Sequence, residues 1–327
     1  MKFLAKYPVM PLSAPNAKAA ASSMEYQDIS GTFSIFVELL MIIVNLIPLI
    51  VILKWKKFRE RTRTDDLVVA LNLTYIVSVV IPTPLGHISY FNDKWYGGKK
   101  TCYFYQVTTT WFRLCCLFIV SILCVDKSIA VYLYMNRNYM ERYDGKIKTL
   151  VSVISVVLLS LFISCLPIMG FGPTGNEKTR CESWISYSPK NENENIYIIV
   201  YLTCGFGNFL CAFLTNCYMG LNLRKMKKHL YTGNNNSGNG NQVRWQIEGT
   251  VVLHGVRMIM AVTILLYLTW FPALILITLQ RTGFLISNIS ILYALLSTSL
   301  SGLLNPVLYG LFDHSYRRGY KKLFHSL

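Results

Sequence analysis

The chain has 327 residues, 53% of them hydrophobic and only 15% charged, which excludes an ordinary water-soluble domain and leaves length for several membrane crossings. A formal net charge of +16 would suggest nucleic acid in a soluble protein. In an apolar chain the basic residues must be placed before their charge is interpreted.

Residues 1–30 read as a disordered extracellular tail. Met1 to Ala5 resembles a signal start, but Lys6, Pro8 and Pro11 interrupt any apolar core of the needed length. The first span is expected at about 33–53, with Glu38, Asn45 and Pro48 inside it, and the second at about 67–89, kinked near Pro82 and Pro84. A short outer loop with Trp95 and Gly98 leads into a third span from Cys102 to Ser128. From Cys102 to Lys127 a helix covers roughly 37 Å, enough for a hydrocarbon layer of about 30 Å with some tilt. The fourth span is expected at about 147–169, closed by Pro167, and the longest outer loop, 170–195, holds Cys181. A fifth span at about 196–221 precedes the basic run Arg224 to Lys228 and a Gly/Asn linker, 233–241. The sixth and seventh are expected at about 251–278 and 285–311. In the tail, Phe312, Tyr316, Tyr320 and Phe324 recur every fourth residue among Arg317, Arg318, Lys321 and Lys322, an amphipathic basic helix suited to an anionic inner leaflet. The fold class is therefore all-α: a seven-transmembrane helix bundle with a short amphipathic C-terminal helix.

With the N-terminus outside, 21 of the 32 basic residues fall on the inner side or at the inner ends of spans, 10 outside, and one, Arg113, at membrane depth. This bias sets the orientation and leaves little for a nucleic-acid reading to explain. Seven of the nine cysteines lie in apolar stretches, where cysteine behaves as a small hydrophobe; only Cys102 and Cys181 sit in outer segments, so an oxidising exterior leaves one pairing. No zinc-like spacing appears, and no metal or cofactor is expected.

From Phe33 to Phe324 the chain resembles the rhodopsin-like (class A) G-protein-coupled receptors, as a divergent, orphan-like member. Asn305-Pro306-Val307-Leu308-Tyr309 matches the family's NPxxY, and Trp270-Phe271-Pro272 its CWxP with Thr269 for the cysteine. Asn45 fits the first-helix asparagine, Trp95-Tyr96-Gly97-Gly98 the WxFG outer loop, Cys102 and Cys181 the bridged pair, and Asp126-Lys127-Ser128 the DRY position. The resemblance implies three regions, a tail at 1–30, a receptor domain at 31–311 and a membrane-surface helix at 312–327. It also implies a multi-pass plasma-membrane protein with an extracellular ligand, a heterotrimeric G protein as partner and no catalytic residues. Asp126, Lys127, Tyr218, Pro272, Asn305, Pro306 and Tyr309 would carry the switch, and Asn45 and Trp95 would be structural.

Several positions depart from the pattern. Lys127 replaces an arginine, keeping the charge and losing the planar fork. Tyr75 and Cys116 stand where the family places an aspartate and often a serine around a sodium ion, and Val252 stands where an acid is common, with Glu248 one turn lower. Thr109 occupies the position of the aminergic aspartate and Ser299 that of the retinal lysine, so the resemblance implies neither an amine ligand nor retinal.

Arg113, one turn below Thr109, is an intramembrane cation, which is costly and so a functional-site hypothesis. Two readings stay open for it: contact with a small anionic or lipid-like ligand, or an internal role, as a pair with Glu38 or in a hydrogen-bond cluster. The pocket candidates by analogy are Thr109, Arg113, Tyr201, Tyr267 and Trp270. Gly170-Phe171-Gly172 is faintly similar to the second outer loop of prostanoid receptors. Leu296, however, stands at their seventh-helix arginine, so that subfamily is not assigned. The alternatives are a transporter or channel, for which inverted repeats are lacking, and a non-signalling decoy receptor.

Overall fold

A computed structural model describes residues 17–55, 61–92, 95–135, 146–172, 181, 192–232, 240–286 and 288–326. Seven helical segments among them are long and apolar enough to cross a membrane: Gly31–Lys54, Arg63–Phe91, Gly98–Met135, Ile147–Cys165, Asn195–Met226, Gly249–Arg281 and Tyr293–Phe312.

The first helix, α1 (Ala17–Trp55), begins well before its span. Residues 17–30, expected within a disordered tail, are helical, because Ala17 to Ser30 holds helix formers with neither proline nor glycine and simply continues the turn of the span. The leader through residue 16 lies outside the described residues, as does the linker at 233–239. The second span is two helices, α2 (Arg63–Val80) and α3 (Thr83–Phe91), parted at Ile81 and Pro82. The ring of Pro82 cannot continue the α2 ladder, and proline is at ease where the next helix begins.

Helix α4 (Gly98–Met135) is the axis of the molecule. In its most apolar window 72% of the residues are buried, against 28% in the fourth span and 44% in the sixth, so this helix faces protein and the others partly face lipid. Leu114, Leu117, Val120, Leu123 and Cys124 are fully enclosed. Around it pack α2, α5 (Lys146–Cys165), α6 (Glu192–Thr232) and α7 (Gly240–Arg281). A π-helical turn, Pro167–Phe171, closes the fourth span, with Gly170 at φ 94°, a left-handed conformation that side chains other than glycine seldom adopt.

The seventh span, expected as one helix, is divided into α8 (Asn288–Ser297) and α9 (Leu300–Phe312). The cause is local. Ser297, Thr298 and Ser301 donate hydroxyl hydrogen bonds to the carbonyls of Ala294, Leu295 and Thr298, three residues earlier, and so compete with the regular backbone ladder. The tail helix α10 (His314–Ser326) follows Asp313, whose carboxylate accepts the Ser315 N–H at 2.7 Å. Phe312, counted above with the tail stripe, closes α9 instead.

Candidate functional site

The disulfide between Cys102 and Cys181 is formed, with Cα atoms 5.6 Å apart. Beside it the Trp95 indole donates to Gly98 O at 3.0 Å and packs on Tyr105 with ring centroids 5.4 Å apart. This close return needs Gly97 and Gly98, at φ 100° and 72°.

Below this cap lies a polar level. Arg113 is half-buried on α4, and Tyr197 and Tyr201 are buried on α6. Glu38, one of the two partners considered for Arg113, is taken: its Oε2 lies 2.6 Å from His87 Nε2, tying α1 to α3. Among the described residues no carboxylate lies within ion-pair distance of Arg113. Thr109 and Tyr201 share this level, and Trp270 is buried at 2% exposure on α7. Tyr267 is partly buried on α7. Its hydroxyl donates to Phe209 O at 2.7 Å and its ring packs at a tilt against Phe209 with centroids 4.9 Å apart, so it ties α7 to α6.

The middle of the bundle is joined by neutral polar groups. Asn45 donates to Met41 O at 2.7 Å and Gly302 O at 2.8 Å. Gly302 has no room for a Cβ, which would meet the Tyr75 ring at 2.7 Å and Met41 Sδ at 2.8 Å. The Tyr75 hydroxyl shares a 3.0 Å hydrogen bond with Ser301 and accepts from Asn305 at 3.3 Å. A phenol thus links the second and seventh spans where the resembled family has a carboxylate. Leu296, at the place of the prostanoid arginine, is half-exposed on the outside of α8.

At the end of the bundle opposite the disulfide Asp126, 1% exposed, is held by Arg63 across 3.0 Å and by the Thr64 hydroxyl at 3.3 Å, both from the first turn of α2. Lys127 turns toward the sixth span, its Nζ 2.9 Å from where a Cβ on Gly255 would stand. Tyr218 is partly buried on α6, and Val252 is enclosed; the Glu248 side chain lies outside the described ones. Tyr309 is fully buried, its ring 5.7 Å from that of Tyr316 on α10.

Sequence reasoning missed Arg63, Asp65 and Tyr316. The pattern Thr62-x-x-Asp65 is a legible capping box: Asp65 N–H donates to the Thr62 hydroxyl at 3.2 Å, and Thr62 N–H to Asp65 at 2.9 Å. The other oxygen of Asp65 accepts the Tyr316 hydroxyl at 3.1 Å, which pins α10 to the second span. Burial and the Asp65 carboxylate push the Tyr316 phenol well above its usual range. Its stabilisation is therefore complete below the ordinary phenol value of about 10 and is lost only as pH rises through the higher folded value. Tyr316→Phe is expected to lower stability by about 2 kcal/mol, read as a drop in thermal midpoint, with no change in that drop between pH 6 and pH 8.

The description 7 transmembrane receptor (rhodopsin family) matches residues 44–309. Prostaglandin E2 receptors of the EP4 subtype from rabbit (Oryctolagus cuniculus) and human (Homo sapiens) are 26% and 23% identical to the chain over 208 residues, which is 63% of this chain and 41% of each receptor. A Gq-coupled rhodopsin from the scallop Mizuhopecten yessoensis is 24% identical over 306 residues, 90% of this chain and 59% of its own. The chain thus matches well under two thirds of the length of these relatives. The crystal structure of squid rhodopsin superposes with a TM-score of 0.73 at 17% identity, covering 91% of this chain and 86% of that one.

Proposed function

We propose, from the premise that this chain belongs to the rhodopsin family of seven-transmembrane receptors, that it is a plasma-membrane receptor with its N-terminus outside, signalling through a heterotrimeric G protein. The ligand enters between the disulfide cap and Trp270. On the inner side an outward swing of α7 opens a cavity bordered by Lys127, Tyr218 and Tyr309, with Pro272 and Asn305-Pro306 as points where the helices can bend. The ligand only shifts a pre-existing balance, by binding the open form more tightly. No catalytic step is assigned to the chain.

Arg113 carries the ligand assignment. A cation at membrane depth is costly unless it is paired. With Glu38 committed to His87 and no carboxylate within ion-pair distance of Arg113 among the described residues, a small anionic or lipid-like ligand would supply the missing counter-charge. The likeness to prostaglandin E2 receptors supports a lipid class. Leu296 leaves Arg113 as the cation this chain would use.

The test is G-protein activation in cells expressing the chain, without ligand and with a panel that includes prostaglandin E2, other lipid carboxylates and peptides. Lys127→Arg is expected to raise signal and Lys127→Ala to abolish it. Silence in all three despite surface expression would leave a decoy receptor. For any lipid carboxylate that activates the wild type, Arg113→Gln should weaken potency about 10- to 100-fold, the loss of a charge-assisted hydrogen bond of about 1.5–3 kcal/mol. Unchanged potency would remove Arg113 from the pocket.

A further inference from the structure

A cavity of about 310 Å³ lies where α1, α9 and α10 meet, with Val44 and Ile47 on one wall, Val307 and Leu311 on the second, and Tyr320 and Phe324 as its floor. This is the lower end of the volume range that holds small molecules. Its mouth faces the lipid side: Val307, Leu311 and Phe324 are 49%, 59% and 63% exposed. The cleft is kept open by contacts behind it. Gly319 sits against Val51 with no room for a Cβ, and the Tyr320 hydroxyl is spent on Pro306 O at 2.9 Å, so the tyrosine offers the cavity its ring alone.

The rim has the opposite character. Arg317 donates to the carbonyls of Gly310 and Leu311 at 3.2 and 2.7 Å, which fixes its guanidinium at the end of α9 beside the cavity. Residues 317, 320, 321 and 324 follow the i, i+3, i+4, i+7 spacing of one helical face, so Arg317 and Lys321 flank the two floor aromatics, and both are exposed. An apolar slot open to lipid with two cations at its polar end complements one kind of molecule. We infer that this cavity is a binding site for an anionic glycerophospholipid, one acyl chain lying in the slot and the phosphate on Arg317 and Lys321. Basic pockets at the polar edge of helix bundles take acidic headgroups by this chemistry. The lipid would pin α10 to the first and seventh spans without a covalent anchor.

The full chain is placed in phosphatidylcholine nanodiscs containing a minor fraction of phosphatidylserine with a photoactivatable acyl chain, and the labelled residues are mapped. Both leaflets carry the probe, so the outcome does not depend on which way the protein faces in a cell. Label is expected on Val44, Ile47, Val307 and Leu311. Val307→Trp, at a lipid-facing position where added bulk leaves the packed core alone, should abolish it. Lys321→Ala should reduce it about fivefold, the contribution of one basic residue near an acidic headgroup, with the helical circular dichroism of both variants unchanged. The same probe as phosphatidylcholine should label these residues weakly and ignore Lys321→Ala. Equal labelling by both headgroups, or displacement of the phosphatidylserine probe by a sterol, would overturn the assignment.

Discussion

Replacing Arg63 by alanine is expected to destabilise the receptor by about 3 kcal/mol and to raise its ligand-independent signalling. The change leaves the Asp126 carboxylate, 1% exposed, without its guanidinium. Breaking a buried ion pair from one side typically costs about 3–5 kcal/mol, and the lower end applies because a fifth of the Arg63 side chain meets solvent. The double variant Arg63→Ala/Asp126→Asn removes the buried carboxylate charge and should recover part of the loss. The cycle of the two single variants and the double, read by thermal midpoint and basal G-protein activation, measures the pair directly. Additive effects would mean that Arg63 and Asp126 act independently and that this pair does not hold the resting form.

Serine at Cys181 or Cys102 should have a comparable effect at the other end. The bridge closes a loop across a sequence separation of 79 residues, which by loop entropy corresponds to about 4.5 kcal/mol. Either substitution should strongly reduce surface delivery, measured by flow cytometry, and the double substitution should be no worse than either single. Cys217→Ser, at an exposed cysteine outside the bridge, is the control and should leave delivery unchanged. A double variant clearly worse than the singles would show that each cysteine matters for a reason other than their bond.

The spans and the bridge were legible because they rest on quantities that a linear sequence carries. Twenty apolar residues in a row report a membrane crossing whatever surrounds them, and two cysteines in outer loops leave one oxidising partner each. The divided seventh span was less so, although Ser297, Thr298 and Ser301 contain the cause: closely spaced hydroxyls can satisfy carbonyls one turn back. The least legible features pair residues remote in sequence. Nothing in the order of residues says that Arg63 meets Asp126 or that Asp65 meets Tyr316, because helical periodicity reports which face is apolar and not which neighbour the polar face will find. Tyr267 shows the same limit. This residue, a pocket candidate by analogy, donates its hydroxyl to Phe209 O on α6, a partner that the order of residues does not announce.

The Ser297 hydroxyl, already described as loosening the end of α8, has one proton that is shared between Ala294 O at 2.7 Å and Thr269 O at 2.8 Å, three residues before Pro272. The weakest point of the sixth span and the break in the seventh are therefore stitched to each other. In kinetic terms the two helices form a single lever. If α7 swings as proposed, this contact would couple it to the junction of α8 and α9, and the two movements would share one relaxation time.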